Sequence, residues 1–201
     1  MGWVKVVGVG PGSLEYITKR GEKVIAQADV VVGAKEILET FAPAKKHLPL
    51  TNVKEALLEI KNLAKDLKVA VLLRGDTGFY SLLRKIEKEE PGLITEVVPG
   101  VSSVQLAFAR LKKLWDEACF YSLHGRDIPL KLKEEYKIHV FLLGEKISAR
   151  PLKKLFAEHG LETAKYYLLF DLSYPEETII EFSFREFPEH LQGRGILIVE
   201  G

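Results

Sequence analysis

The chain has 201 residues, of which 47% are hydrophobic and 28% are charged, and these values exclude a disordered or coiled-coil protein. Its 29 basic and 28 acidic residues nearly cancel, so no general positive field predicts binding to nucleic acid or to an anionic membrane. One cysteine, Cys119, excludes an internal disulfide framework. Because there is also no leader sequence and no apolar run of about 20 residues, we expect a cytoplasmic protein.

Strand and helix patterns alternate along the first half of the chain. Short β-branched runs predict strands at residues 4–9, 30–32, 69–73 and 94–98. Amphipathic spacing predicts helices at residues 18–28, 34–40, 79–90 and 103–111, with a further helix capped by Thr51 or Asn52. This alternation is typical of βα units around a mainly parallel sheet, so the predicted fold class is α/β.

The pattern loosens at residues 110–116, where we place a domain boundary. The predicted domains are therefore residues 1–112 and residues 117–201. In the second domain, strands are predicted at residues 119–123, 139–143, 164–170, 178–182 and 196–199. Helices are predicted around residues 130–136 and from a Ser148 cap to a stop at Gly160.

Three glycine-bearing loops each follow a predicted strand, at residues 8–12, 74–78 and 99–103. In a parallel sheet all three would emerge at the carboxyl ends of the strands, where open α/β sheets bind ligands. A single loop of this kind is usually only a tight corner, and Asp76 or Ser102 is often only a helix cap. Three such loops at one edge favour a ligand site.

The residues in these loops narrow the range of ligand classes that the site could bind. Residues 8–12 depart from the dinucleotide fingerprint, because the third glycine comes one residue early and Pro11 lacks the N–H that a pyrophosphate needs. The second strand ends in Gly-Ala-Lys (33–35), without the acidic residue that holds a ribose in NAD sites, and no Gly-Lys-Ser/Thr occurs, which disfavours a nucleotide-dependent oxidoreductase and a P-loop. Asp76 suits a cation, an amine or a ribose hydroxyl. The combination favours S-adenosylmethionine, a phosphate-free nucleoside with a sulfonium and an ammonium group.

The loop motifs occur in a specific order. Val-Gly-Val-Gly-Pro-Gly-Ser-Leu-Glu-Tyr-Ile-Thr (7–18) is followed by Leu-Leu-Arg-Gly-Asp-Thr-Gly-Phe-Tyr (72–80) and Val-Val-Pro-Gly-Val-Ser-Ser (97–103). This order resembles the tetrapyrrole (corrin/porphyrin) methylase family. The resemblance implies two α/β domains, with a mainly parallel sheet in the first and a mixed sheet in the second. It also implies that S-adenosylmethionine binds in a cleft between the domains.

Three further segments resemble one branch of that family. They are Ser-Val-Gln-Leu-Ala-Phe-Ala-Arg (103–110), Ser-Leu-His-Gly-Arg (122–126) and Phe-Asp-Leu-Ser-Tyr-Pro-Glu-Glu (170–177). The last is similar to an Asn-Leu-Gly-x-Pro-x-Glu segment, from which Asp171 and Ser173 depart. The branch is that of the cobalt-precorrin-7 C5-methyltransferases, also described as the methylating part of precorrin-6Y C5,15-methyltransferase. The implied reaction is methylation at C5 of cobalt-precorrin-7, or of its metal-free counterpart, in cobalamin biosynthesis.

The resemblance also implies site residues. The methyl-donor contacts would be Pro11, Gly75, Asp76, Phe79, Ser102, Ser103, Leu143, and Leu172 or Ser173, although Phe79 and Leu143 are also ordinary core residues. Substrate contacts would be Gly10, His124 and Arg126, with Lys35 and Arg74 as weaker candidates. Arg126 is favoured because the macrocycle carries many carboxylates, which arginine binds in a bidentate manner. No residue is assigned as catalytic. The five histidines show no metal-ligand spacing, so no protein-bound metal is expected.

The expected partners follow from the same resemblance. The sequence ends at Gly201, after the second domain, so we expect a stand-alone C5 enzyme and a separate enzyme that methylates and decarboxylates at C15. A homodimer is expected by analogy with the family. Two alternatives stay open. One is another methylase of the family, acting on a different ring carbon or on a modified protein histidine as in diphthamide synthesis. The other is a catalytically silent tetrapyrrole-binding module, against which the intact Gly75-Asp76 and Ser102-Ser103 pairs argue.

Overall fold

The structure is a computed structural model that describes residues 2–124, 127–144, 146–193 and 195–201, with Lys146 and Gln192 described by their backbone only. The chain divides into two compact units, Met1–Ser103 and Val104–Gly201. Residues 104–112, which the sequence-based division assigns to the first domain, thus lie in the second unit.

Within its described residues, the first unit contains a five-stranded sheet in the order β3-β2-β4-β1-β5. Its strands are β1 (Trp3–Gly8), β2 (Val30–Gly33), β3 (Lys46–Pro49), β4 (Lys68–Leu73) and β5 (Glu96–Val98). All of these pairings are parallel, as the sequence predicts. Only β3 is unpredicted, because it is short, largely polar and ends in proline.

Helices cover both faces of this sheet. They are α1 (Lys19–Gln27), α2 (Lys35–Phe41), α3 (Val53–Leu63) and α4 (Leu83–Glu89), and a short 3-10 helix at Leu14–Tyr16 precedes α1. Alternate strand residues such as Val7 and Leu72 pack with α1 and α2, while Val6 and Val71 pack with α3 and α4. The predicted cap is Asn52, whose Oδ1 accepts the Lys54 N–H at 3.0 Å. Burial on two faces explains the continuous apolar run in β4.

Helix α4 is shorter than the predicted helix at residues 79–90, which is wrong in its first turn. Tyr80 has a left-handed φ of 49°, which interrupts a right-handed helix. The Ser81 hydroxyl accepts the Leu83 N–H at 3.2 Å and donates to the carbonyl of Thr77. The side chain of Ser81 therefore holds a turn where the apolar spacing alone predicts helix.

Within its described residues, the second unit contains a mixed five-stranded sheet in the order β10-β9-β12-β7-β6. Its strands are β6 (Ala118–Ser122), β7 (Ile138–Leu142), β9 (Lys165–Phe170), β10 (Thr178–Phe182) and β12 (Gly195–Glu200). Strands β6 and β7 are parallel and the other pairs are antiparallel, which confirms the expected mixed sheet.

The remaining elements of the second unit lie before or between the strands of this sheet in the sequence. They are α5 (Ser103–Leu111), β8 (Lys146–Ser148), α6 (Ala149–Glu158), a 3-10 helix at Phe184–Glu186 and β11 (His190–Gln192). Strands β8 and β11 form a separate antiparallel pair. The core packs buried side chains of α6 against the sheet, with Phe141, Phe156 and Tyr166 among its largest members.

The helix predicted around residues 130–136 is wrong, since this segment forms turns. The Leu132 N–H donates to Nε2 of His159 at 3.2 Å, and the Lys133 N–H donates to the Tyr121 hydroxyl at 3.1 Å. These tertiary hydrogen bonds, to the end of α6 and to β6, hold the segment in turns. Every helix in the described part of the chain is too short or too polar to cross a lipid bilayer.

Candidate ligand-binding site

The three glycine-bearing loops come together at one edge of the first sheet. Strands β4, β1 and β5 are neighbours in that sheet and run in the same direction. The loops at residues 8–12, 74–78 and 99–103 therefore meet at the carboxyl edge, as the sequence predicts. This is the edge at which open α/β sheets bind ligands.

Glycine is required where these loops touch. A Cβ on Gly8 would lie 2.7 Å from the Gly75 carbonyl oxygen and 2.7 Å from the Gly100 nitrogen. A Cβ on Gly100 would lie 2.4 Å from the same Gly75 oxygen. Gly75 itself has a φ of 72° and its N–H donates to the Gly10 carbonyl at 2.8 Å. The backbones of the three loops are thus in direct contact, and no side chain fits among them.

Asp76 joins two of the loops. Its Oδ1 accepts the Gly78 N–H at 2.8 Å, and its Oδ2 accepts the Gly100 N–H at 3.1 Å. The residue does not cap a helix, since α4 begins only at Leu83. A carboxylate oxygen has two acceptor sites, so each oxygen of the half-buried Asp76 can accept one further hydrogen bond. The carboxylate therefore both orders the loops and offers acceptors to a hydroxyl or an ammonium group.

The cations near these loops are directed toward protein acceptors. Arg74 donates from Nη1 to the Pro11 carbonyl at 3.1 Å and from Nη2 to Oε1 of Glu36 at 2.6 Å. Lys35 lies 3.7 Å from Glu39 and its side chain is 80% exposed. With a carboxylate at the loop junction and Arg74 held by Pro11 and Glu36, the edge suits a phosphate-free ligand.

The other predicted residues of the first unit lie in or beside the same loops. Gly10 and Pro11 are buried, and so is Ser102 at 7% exposure. Ser103 is the first residue of α5. Phe79 is half-buried, and its ring meets the exposed ring of Tyr80 edge-on at 4.9 Å. The donor-contact candidates of the first unit therefore lie either near Asp76 in the sequence or at the same edge of the sheet.

The predicted residues of the second unit also share one sheet edge. Strands β7 and β9 are both antiparallel to β12, so they run in the same direction, and β6 is parallel to β7. The residues that follow these strands are an exposed His124, the buried Leu143 and Leu172, and a half-buried Ser173. The Leu143 side chain belongs to the core, as its alternative interpretation expected. Arg126 lies outside the described residues.

The loop after β9 has an unusual backbone. Asp171 and Ser173 have left-handed φ angles of 46° and 75°, respectively. Oε2 of Glu177 accepts the Ser173 N–H at 2.9 Å, and Oε1 accepts Nε of Arg110 at 2.6 Å. The hydrogen bond from Arg110 holds the pKa of Glu177 below its ordinary value, the Ser173 N–H acts in the same direction, and burial opposes both.

The sequence analysis gave Arg110 and Glu177 no role. A signal was nevertheless present, because the related segment has asparagine and glycine where this chain has Asp171 and Ser173. Glycine and asparagine are the residues that enter the left-handed region most readily. That pair of residues predicts a left-handed loop, which in turn needs an anchor when the glycine is replaced.

A metal ion bound by side chains needs several His, Cys, Asp or Glu residues placed together. Among residues 2–124, 127–144, 146–193 and 195–201, no group of three or more His, Cys, Asp or Glu side chains is placed to hold a metal ion. Cys119 is a free, buried thiol.

Comparisons with known proteins define the class of protein. Residues 4–188 match the family model of the tetrapyrrole (corrin/porphyrin) methylases, so the chain belongs to that family and is a methyltransferase. Members of the family take their methyl group from S-adenosylmethionine.

Three similar proteins mark its place in the family. A probable cobalt-precorrin-7 C(5)-methyltransferase of Methanocaldococcus jannaschii is 32% identical over 196 residues, which cover 91% of this chain and 90% of the relative. A cobalt-precorrin-4 C(11)-methyltransferase of the same organism is 26% identical, over 96% of this chain and 83% of the relative. The crystal structure of a precorrin-6Y methylase from Archaeoglobus fulgidus has the same fold, with a TM-score of 0.77 and 24% identity over 98% of this chain and 97% of that one.

Proposed function

We propose that the chain binds S-adenosylmethionine and transfers its methyl group to C5 of cobalt-precorrin-7, or of the metal-free counterpart, in cobalamin biosynthesis. The observation that carries the donor assignment is the Asp76 carboxylate at the junction of three glycine loops whose nearby Arg74 is directed at Pro11 and Glu36. The C5 assignment is supported by the higher identity to the relative named for C5, 32% against 26% for the relative named for C11.

The proposed donor contacts are the residues that the family resemblance implies in each of the two units. In the first unit these are Pro11, Gly75, Asp76, Phe79, Ser102 and Ser103, and in the second they are Leu143, Leu172 and Ser173. The residues fit the donor chemically, because Asp76 and Ser102 offer oxygens to hydroxyl and ammonium groups. Buried Leu143 and Leu172 side chains leave the backbone as the means of contact at those two positions.

The reaction needs positioning more than acid–base chemistry. When bound, S-adenosylmethionine supplies a sulfonium methyl, which a nucleophilic ring carbon takes in line while the sulfur leaves as a thioether and the ring loses a proton. The loops would hold the donor so that the reacting atoms approach to about 3–3.5 Å and water is excluded, which can supply several kcal/mol. Asp76 would orient the donor, and no residue needs to become covalently attached.

The acceptor side is proposed to involve Gly10, His124 and Arg126. A tetrapyrrole precursor with many carboxylates matches the chemistry of an arginine side chain, and His124 is exposed after β6. Because the similarity to the C5 relative covers 90% of that protein, we propose that residues 1–201 add one methyl group and that a separate enzyme acts at C15. We also propose a cytoplasmic homodimer, and the free Cys119 thiol supports a reducing compartment.

Calorimetry tests the donor assignment. Wild-type protein is titrated with S-adenosylmethionine, S-adenosylhomocysteine, NAD and ATP under one set of conditions. We expect binding of the first two and none of the others, since Asp76 repels phosphates and Pro11 lacks an N–H to bind them. Binding of NAD without binding of S-adenosylmethionine would refute the assignment.

Product analysis tests the acceptor assignment. Cobalt-precorrin-7 and its metal-free counterpart are incubated with donor carrying a ¹³C methyl group, and the product is examined by mass spectrometry and carbon NMR. One added methyl at C5 without loss of carbon dioxide is expected. A label at another ring carbon, such as C11, a second methyl or a lost carboxyl would contradict the C5 assignment.

A substitution tests the proposed carboxylate contact. Arg126→Ala should impair acceptor use and leave donor affinity intact, since a lost charge-assisted hydrogen bond weakens binding by about 1.5–3 kcal/mol. Arg84→Ala, which removes an exposed arginine of α4, is the matched control. Equal acceptor kinetics for the two variants would remove Arg126 from the site.

A further inference from the structure

The loop after β9 adopts a conformation that one of its residues, Ser173, disfavours. Asp171 and Ser173 both carry a Cβ, yet their φ angles are 46° and 75°. Aspartate tolerates left-handed backbone, but serine does so poorly, and at Ser173 the glycine that would relieve it is absent. Some contact elsewhere must therefore hold the loop in this form.

Glu177 supplies that contact. Two turns bring it back toward the start of the loop, with the Tyr174 N–H donating to the Asp171 carbonyl at 3.0 Å and the Glu177 N–H donating to the Tyr174 carbonyl at 3.0 Å. Its Oε2 then accepts the N–H of Ser173 at 2.9 Å. The carboxylate thus fixes the amide of the residue with the larger left-handed φ.

Arg110 fixes the carboxylate in turn. It donates from Nε to Oε1 at 2.6 Å and from Nη2 to Oε2 at 3.3 Å, so its guanidinium plane sets the orientation of the Glu177 carboxylate. A two-point arginine–carboxylate contact adds geometric specificity that a single charge does not. Because Arg110 lies in α5, this contact anchors the loop to a helix rather than to another loop.

We propose that Glu177, oriented by Arg110, is a positioning residue for methyl-donor binding. It holds Leu172 and Ser173 in the backbone conformation that contacts S-adenosylmethionine, and it does not itself touch the donor. This inference rests on the proposed donor binding. It assigns a function to two charged residues that the resemblance quotes without a role.

The solvent exposure of the Arg110–Glu177 ion pair distinguishes a role in positioning the loop from a role in stabilising the whole fold. The side chains of Arg110 and Glu177 are 36% and 19% exposed, and ion pairs accessible to water contribute little to stability. Loss of the pair should therefore alter the local loop more than the whole fold. Donor affinity, rather than melting temperature, is the sensitive readout.

The test compares donor affinity and melting temperature in full-length variants. Glu177→Ala is expected to weaken S-adenosylmethionine binding at least tenfold by calorimetry, with little change in melting temperature. Glu176→Ala removes the exposed carboxylate next to it and should bind like wild type. Arg110→Lys keeps the charge but loses the two-point contact, so an intermediate affinity is expected.

A double variant tests the role of the left-handed backbone. Glycine adopts a φ near 75° without penalty, so Ser173→Gly combined with Glu177→Ala should regain most of the lost affinity. Hydrogen exchange at the Ser173 amide, measured without donor, should be faster in Glu177→Ala than in Glu176→Ala.

The outcomes are distinguishable. If wild type binds donor and Glu177→Ala binds equally well, the positioning role is wrong and the donor assignment stands. If Ser173→Gly fails to restore affinity and amide exchange is unchanged, Glu177 does not act through the loop. If wild type binds no donor, both the proposed function and this inference are overturned.

Discussion

The two candidate sheet edges are ordered by different means. In the first unit, Gly8, Gly75 and Gly100 place three backbones in contact, with Asp76 accepting one N–H within its own loop and one from a neighbouring loop. In the second unit, residues with side chains occupy left-handed positions and an ion pair anchors them. Backbone packing is insensitive to charge but tolerates no added atom. A side-chain anchor tolerates changes of size but depends on the charge of one carboxylate.

The largest expected effect is that of an added methyl group in the first unit. Gly100→Ala would place its Cβ 2.4 Å from the Gly75 oxygen and 2.6 Å from the Gly8 carbonyl, so backbone must move. We expect a loss of about 3 kcal/mol in the free energy of unfolding, and loss of donor binding. Denaturant titration measures the stability.

Gly92→Ala is the matched control for that substitution. Unlike Gly100, Gly92 has a positive φ, 77°, and its Cβ would meet nothing within 4 Å. It should therefore show only the backbone penalty of about 1 kcal/mol and bind donor normally. Equal losses in the two variants would mean that loop contact is not what requires glycine at position 100.

The second effect concerns the side chain that joins the loops of the first unit. Asp76→Ala leaves the Gly78 and Gly100 N–H groups without their acceptor, and a loss of about 2 kcal/mol in stability is expected. Donor affinity should fall by more than this loss of stability alone explains. Asp66→Ala, at an exposed turn, is the control. If calorimetry shows an unchanged affinity for the methyl donor, Asp76 has a structural role only.

Acid should weaken the second unit's loop through Glu177. Because the folded state lowers its pKa, this residue adds stability above its ordinary pKa of 4.5, and that stability is lost as pH falls through the lower folded value. The unfolded chain then binds more protons than the folded one, so stability rises with pH in this window. Glu177→Gln lacks the titrating group, and its unfolding free energy should depend less on pH between about pH 6 and about pH 3. The difference between the two profiles should be small, because an ion pair accessible to water contributes little to stability, and a variant whose stability depends more steeply on pH than that of wild type would contradict the ion-pair anchor.

The smallest effect is the removal of a Cβ in the second unit. Ser173→Gly relieves a φ of 75° and should stabilise the protein by up to about 1 kcal/mol, partly offset by the greater freedom of glycine in the unfolded chain. Ser173→Ala keeps the Cβ and loses only the hydroxyl, so it isolates the backbone contribution. Thermal melts of the two variants measure this difference. A higher melting temperature for Ser173→Ala than for Ser173→Gly would contradict the expectation.

The sequence predicts the first edge well and the second only in part. Glycine-bearing loops after β-branched strands are local signals, and the parallel order of β4, β1 and β5 brings those loops together. The Arg110–Glu177 contact joins residues 67 positions apart, and no spacing rule connects them. Left-handed backbone at Asp171 and Ser173 is signalled only by the asparagine and glycine of the related segment, since neither residue type present here requires it.

The segment at residues 130–136 shows a different limit. Its lysines, glutamates and leucines favour a helix, but the contacts of this backbone with Tyr121 and His159 favour turns instead. Such competition depends on tertiary contacts that propensity does not contain. The same holds at Ser81, whose hydroxyl delays the start of α4.

The mutual contact of Gly8, Gly75 and Gly100 has a consequence for recombining related enzymes. Each loop is shaped to the backbone of the other two, so a single loop transplanted from a relative would meet partners that it does not fit. Exchange of the three segments together preserves the contact, whereas exchange of one should fail even between close relatives. In the second unit the corresponding transferable block is the loop at residues 171–177 together with α5, because the anchor of that loop lies on the helix.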